Sequence, residues 1–324
     1  MTSPPLDAAR VAARVDPVTG SGYRIGFDIG GTKTLGIVLG PTGEIVARAR
    51  IATLSGAEGL LDTIHEAARS LASASGLDVS NVDAIGIGIP GLVSARSGVI
   101  EHAVNLRIAK PVALARLVRE RLGYAGDVRV ENDVNVAARG IVEELGLHDR
   151  VVSLISVGTG LAAGLVVRGE LWRGAAGIAG EIGHVPIDPH GPMCGCGQRG
   201  CIEQYASGSA LARMWPVAAG QQPASSMFDA ADAGNATAVA VRTKFSSALA
   251  TAIQMIALSV DPDLIVLGGG VASVGEPLRL AAANALRERS RHSAFLRALR
   301  LEERLIVASK GSTTAAVGAA TLGP

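Results

Sequence analysis

The chain has 324 residues, 48% of them hydrophobic, a formal net charge of +1 and only 3% aromatic residues. That length and apolar content allow two packed cores, while near-neutral charge and scarce aromatic rings count against a nucleic-acid-binding surface. No apolar run reaches the length of a membrane span, and residues 1–21 hold Asp7, Asp16 and several arginines where a signal peptide needs an apolar run. The expected compartment is therefore the cytoplasm and the expected partners are small molecules, with no nucleic acid and no membrane.

Residues 1–21, rich in Ala, Arg, Pro and Asp, read as a tail. From Tyr23 the pattern changes. Arg24–Ile29 reads as a strand, Gly30-Gly31-Thr32-Lys33 as a turn and 35–39 as its antiparallel partner. Pro41-Thr-Gly43 turns into a third strand over 45–51. Apolar residues at Leu60, Leu61, Ile64, Ala67, Ala68 and Leu71 predict a helix over 57–73, and a fourth strand follows at Ala84–Ile89.

The same order returns in the second half. Val151–Val157 leads through Gly158-Thr159-Gly160 into Leu161–Val167, with a turn at Arg168-Gly-Glu170, and a long helix over 243–260 precedes an apolar strand at 263–267 that ends in Gly268-Gly269-Gly270. The chain thus reads as an internally duplicated α/β protein, two related domains facing a cleft. The expected division is a tail at 1–21, a small N-terminal domain at 22–137 and a larger C-terminal domain at 138–308 with a Cys-rich insertion. Residues 309–324 hold a closing helix, for which packing back on the small domain is one placement.

The insertion carries the densest chemistry. His184, Cys194, Cys196 and Cys201 fall within eighteen residues and include all three cysteines of the chain. Three thiolates and one imidazole suit a tetrahedral Zn²⁺ with no vacant position, a structural metal rather than a Lewis acid. Gly195, Gly197 and Gly200 permit the tight backbone that such an ion needs. His190 is the alternative fourth ligand, and reduced thiols or one disulfide with a thiol left over are the alternative to a metal. Glu181 and Glu203 flank the ligands as candidates for binding a polar substrate.

Three glycine-rich turns could bring backbone N–H groups to phosphate oxygens. Asp28-Ile-Gly30-Gly31-Thr32-Lys33 joins a carboxylate to a hydroxyl and one of only four lysines, and Asp28 could hold Mg²⁺ through water. Gly158-Thr159-Gly160 repeats the device, and Gly268-Gly269-Gly270 ends a buried strand where an adenosine could approach. Each is also compatible with an ordinary turn. Glu131-Asn132-Asp133-Val-Asn135 sets polar residues between an apolar strand and an alanine-rich helix. Asp133 there is a candidate general base for phosphoryl transfer to a hydroxyl, helix capping being the other reading. Asn105 could bind sugar hydroxyls or merely occupy a turn.

Asp28-Ile-Gly-Gly-Thr-Lys33, Gly88-Ile-Pro-Gly91, Glu131-Asn-Asp133-Val-Asn135, Gly158-Thr-Gly160, Gly180-Glu-Ile-Gly-His184 and the block from Cys194 to Glu203 together resemble the ROK family of sugar kinases and repressors. That family belongs to the sugar kinase, Hsc70 and actin superfamily, so the resemblance implies a duplicated actin-like ATPase (ribonuclease H-like) fold. It further implies that Asp133 is the general base and that Asn105, Asn132, Glu181, His184 and Glu203 contact the sugar. The metal held by His184, Cys194, Cys196 and Cys201 would be zinc, and the glycine loops with Asp28, Thr32, Lys33 and Thr159 would serve ATP with Mg²⁺. A homodimer or homotetramer is implied too.

Repressors of the family carry an N-terminal winged helix-turn-helix, for which residues 1–21 are too few. Cys201-Ile-Glu-Gln-Tyr-Ala-Ser-Gly208 looks closest to bacterial glucokinases, while N-acetylglucosamine and N-acetylmannosamine kinases share most of that block. The turn after Asp28 differs from the Gly-Gly-Ser/Thr-Gly-Ile-Lys form of polyphosphate glucokinases, which favours ATP as donor. The segment from Asn105 to Lys110 lacks the tryptophan often found there. The expected activity is transfer of the γ-phosphoryl of ATP to the 6-hydroxyl of a hexose, glucose first. An N-acetylhexosamine kinase and a non-catalytic sugar sensor are the alternatives, and a zinc-knuckle nucleic-acid binder is a distant third.

Overall fold

The computed structural model describes residues 22–309 and 313–323, which form two compact units; the expected tail at 1–21 lies outside the described residues. The first unit takes residues 22–149, 168–171 and 313–323, and the second takes 150–167 and 172–309.

In the first unit, β1 (Arg24–Ile29) and β2 (Lys33–Leu39) form an antiparallel hairpin and β3 (Ile45–Ala52) extends it. Helix α1 (Gly56–Ser75) follows, then β4 (Ala84–Ile89), a small hairpin of β5 (Leu92–Ser94) and β6 (Val99–His102), α2 (Leu114–Leu122), β7 (Asp127–Asn132) and α3 (Asp133–Leu145). The sheet order is β3-β2-β1-β4-β7, with β4 parallel to both β1 and β7. Period-two alternation sends Ile25, Phe27 and Ile29 into a core shared with Leu60, Ile64 and Leu71 of α1. Gly26 and Asp28 therefore point to the opposite face.

That face is covered by the last helix of the chain, α9 (Thr314–Ala320), which packs on α3 and β1. The approach is so close that only hydrogen fits at several points: a Cβ on Gly26 would lie 2.0 Å from the Ala316 carbonyl oxygen, one on Gly86 1.8 Å from that of Ala319, and one on Gly318 1.8 Å from that of Val136. Small residues thus replace the usual side-chain interdigitation. The expected domain boundary at 137/138 would cut α3 in two. Because α3 runs unbroken to Leu145 against α9, the first unit instead extends to residue 149.

In the second unit, β8 (Val151–Val157) pairs antiparallel with β9 (Leu161–Val167); the two-residue β10 (Glu170–Leu171) belongs to the first unit. Then come α4 (Gly208–Met214), α5 (Pro223–Asp232), α6 (Ala236–Val260), β11 (Leu264–Gly268), α7 (Glu276–Ser290), α8 (Ala294–Leu299) and β12 (Leu305–Val307). Strands run β9-β8-β11-β12, with β11 parallel to β8 and β12. The first unit's β2-β1-β4-β7 has the same order and directions, so the duplication read from sequence is a duplication of topology. Helix α6 starts seven residues before the expected 243, where the Asn235 side chain accepts from the Ala238 N–H. Among the described residues no helix is long and apolar enough to cross a membrane.

Candidate active site and metal centre

In the first unit the candidate residues gather at the C-terminal ends of β1, β4 and β7. Register places Asp28 opposite Gly88, Gly88 opposite Glu131 and Ile89 opposite Asn132. Burial pushes the Asp28 carboxyl up to about 6, and the neighbouring Asp133 carboxylate adds to the shift. Asp133 is the first residue of α3, but it is not the cap. Asn132 holds that position, its Oδ1 accepting from the N–H groups of Val134 at 2.9 Å and Asn135 at 3.4 Å. The Asn132 Nδ2 donates to the Gly91 carbonyl at 3.1 Å. Behind them the buried Glu131 accepts at 2.9 Å from both the Asn132 N–H and the Asn135 side-chain amide.

The turn after β1 is closed by the Gly30 N–H bonding to the Lys33 carbonyl at 2.9 Å, which leaves Gly31, Thr32 and Lys33 exposed. Asn105 stands beside it, for a Cβ on Gly31 would lie 3.6 Å from the Asn105 Cβ. The first unit therefore brings Asp28, Gly30 to Lys33, Asn105, Asn132 and Asp133 into one neighbourhood.

The second unit gathers the remaining candidates. Gly158 closes its turn on Gly160 at 3.0 Å and accepts from the Gly208 N–H at 2.7 Å, which docks the turn on the start of α4. Gly269, at φ +81°, crosses the end of β8 so closely that a Cβ would lie 2.6 Å from the carbonyl of Val157. Gly158 and Gly270 face open space. Two glycine turns thus meet with backbone left accessible, as a bound phosphate requires.

The ligand atoms of His184, Cys194, Cys196 and Cys201 all lie within 4.8 Å of one another. Cys196 and Cys201 sulfurs are 3.7 Å apart, and Cys194 Sγ is 3.6 Å from His184 Nδ1. A tetrahedral ion with metal–sulfur bonds of about 2.3 Å sets neighbouring ligand atoms about 3.8 Å apart, so the group has the dimensions of one. His190 is outside this group. Its backbone N–H bonds to Asp188 at 3.0 Å. The other ring nitrogen of His184, Nε2, lies 3.9 Å from Glu181.

Glu203 bridges the two features of this unit. Its Oε1 accepts from the Cys194 thiol at 3.0 Å and lies 3.7 Å from His184 Nδ1, while a Cβ on Gly160 would come within 2.8 Å of its Oε2. Sequence reading missed Gln198, whose amide donates to the His184 carbonyl at 3.0 Å and to Cys196 Sγ at 3.4 Å. It missed Asp188 and Tyr205 as well, whose bond at 2.7 Å spans the loop. The repeated glycines of the loop were the available signal, since they mark where backbone closes on something.

Two units of matching strand order, with a glycine turn after the first strand of each, define a two-domain α/β protein of the actin-like ATPase type. The chain belongs to the ROK family, whose model matches residues 24–324. It is 34% identical over 275 residues to the glucokinase of Halalkalibacterium halodurans, covering 79% of this chain and 82% of that protein. It is 32% identical over 267 residues to the N-acetylmannosamine kinase of Yersinia pseudotuberculosis, covering 81% and 88%. A solved ROK family glucokinase of Streptomyces griseus, in complex with glucose and AMPPNP, superposes with a TM-score of 0.74 at 31% identity, covering 93% of this chain and 99% of that one.

Proposed function

We propose that the chain is an ATP-dependent hexokinase that transfers the γ-phosphoryl group of Mg·ATP to the 6-hydroxyl of glucose. The observation that supports the reading is the gathering at the C-terminal ends of β1, β4 and β7: Asp133 opens α3 there, close enough to the buried Asp28 for its charge to raise that carboxyl, while Asn132 caps the helix. Asp133 accepts the proton of the 6-hydroxyl as that oxygen takes the phosphoryl group. Asn105, Asn132, Glu181, His184 and Glu203 hold the sugar hydroxyls, and this positioning supplies most of the rate. Gly30, Gly31, Thr32, Lys33, Gly158, Thr159, Gly160, Gly268, Gly269 and Gly270 serve the nucleotide, and Asp28 serves its Mg²⁺ through water.

His184, Cys194, Cys196 and Cys201 would hold zinc. When bound, the ion supplies a rigid anchor and no open position for chemistry. His184 would offer the metal Nδ1, the ring nitrogen beside Cys194, and would keep Nε2 for a sugar hydroxyl. A cytoplasmic homodimer or homotetramer completes the proposal. The similarity to N-acetylmannosamine kinases favours one second reading, a kinase of an N-acetylhexosamine.

A screen of hexoses and N-acetylhexosamines with coupled ADP detection tests both. Glucose-dependent ADP release is expected. Faster release with N-acetylmannosamine would select the second reading, and sugar binding without any release would make the protein a sensor.

A further inference from the structure

We infer that Tyr205 and Asp188, backed by Lys244, form a latch that closes the Cys-rich loop and sets the position of Glu203. Asp188 precedes all three cysteines and Tyr205 follows them, so a bond between the two ties the mouth of the loop. Tyr205 is 5% exposed and its hydroxyl donates to Asp188 Oδ2 at 2.7 Å. The other carboxylate oxygen accepts from the His190 N–H at 3.0 Å, and the Asp188 carbonyl from that of Gly191, also at 3.0 Å.

The loop collapses onto this pair without intervening side chains. A Cβ on Gly191 would lie 2.3 Å from the Tyr205 hydroxyl oxygen, and one on Gly200 1.8 Å from the Asp188 carbonyl oxygen. Lys244 of α6 places its ammonium 4.9 Å from the centre of the Tyr205 ring, which fastens the latch to the helical core of the unit. Glu203 sits in a single helical turn, Ile202–Gln204, that Tyr205 terminates by donating its N–H to the Ile202 carbonyl. The backbone of Tyr205 is thus bonded to the segment that carries Glu203, so the anchoring of its ring and hydroxyl bears on where that carboxylate stands. A phenol–carboxylate bond is charge-assisted and stronger than a neutral one. Tyr205 is thus a positioning residue, and its effect on sugar rests on the reading of Glu203 as a sugar contact.

Tyr205→Phe in the zinc-loaded full chain removes the hydroxyl and keeps the ring under Lys244. Zinc loss to a chromogenic chelator should quicken by roughly tenfold. The KM for glucose should rise by a similar factor while kcat and the KM for ATP stay within about twofold, a split that general loosening of the fold would not give. Asp188→Ala should reproduce the phenotype, and the double variant should be no worse than either single one. An unchanged rate of zinc loss in both single variants overturns the latch, as does a fall in kcat together with a higher KM for ATP. If the parent protein phosphorylates no sugar, the kinase reading fails and the zinc-loss rates still decide the latch.

Discussion

Asp28 and Asp133 stand close enough for the charge of one to oppose ionisation of the other, and burial has already raised Asp28 to about 6. Folded Asp28 therefore keeps its proton to a higher pH than the unfolded chain, whose value is near 3.8. The stability this contributes is full below about pH 4 and is lost as pH rises through about 6. Asp28→Asn should raise the unfolding free energy of the ligand-free protein at pH 8 by on the order of 2 kcal/mol and leave it nearly unchanged at pH 3.5. Thermal melts at the two pH values check this, and equal shifts at both would refute it. The same group should make Mg·ATP affinity fall as pH drops below about 6, since a protonated carboxyl does not serve a cation.

Asp133→Asn removes the proton acceptor and keeps the shape. Turnover should drop by roughly three decades, while calorimetric glucose affinity stays within about threefold. Near-parental turnover would end the assignment of Asp133 as base.

Loss of metal should weaken sugar binding through a specific route. Glu203 Oε1 lies 3.0 Å from the sulfur of Cys194, so the carboxylate shares its position with a residue of the metal group and moves when that group loosens. Stripping zinc with a chelator should lower glucose affinity by about tenfold or more and restore it on readdition. Nucleotide affinity, measured by displacement of a fluorescent ATP analogue, should change little. Equal loss of both affinities would place the metal in general stability instead.

Two glycines separate packing from function. Gly86→Ala drives a methyl against the Ala319 carbonyl and should cost about 2–3 kcal/mol in denaturant unfolding. Gly158→Ala meets open space and should be nearly neutral for stability, yet raise the KM for ATP by crowding the phosphates. A large stability loss at Gly158 would mean that its turn is structural only.

Much of this was legible because the relevant signals are local. The alternation in Arg24–Ile29 and the cluster of His184 with three cysteines each need only a short stretch of chain. The capping role of Asn132 against Asp133 was ambiguous in sequence because both residues cap helices equally well; backbone geometry assigns it. The boundary was misplaced at 137/138 for a non-local reason, since nothing in α3 announces that its partner is α9, to which Glu144 bonds through Thr314 across 170 residues of sequence. Tyr205 and Asp188 escaped notice because each is an ordinary residue until the loop folds back and joins them.

The placement of α9 across Gly26 and Gly86 has a consequence for biosynthesis. A ribosome releases β1 through α3 long before α9, so the part of one sheet face around Gly26 and Gly86 waits bare while the whole second unit is made, although α3 already covers Gly88. That bare face carries glycines at its centre and Ile37 and Leu39 beside them, an adhesive surface for chaperones or for neighbouring nascent chains. Synthesis of the final helix is then the event that commits the earliest residues to their native state.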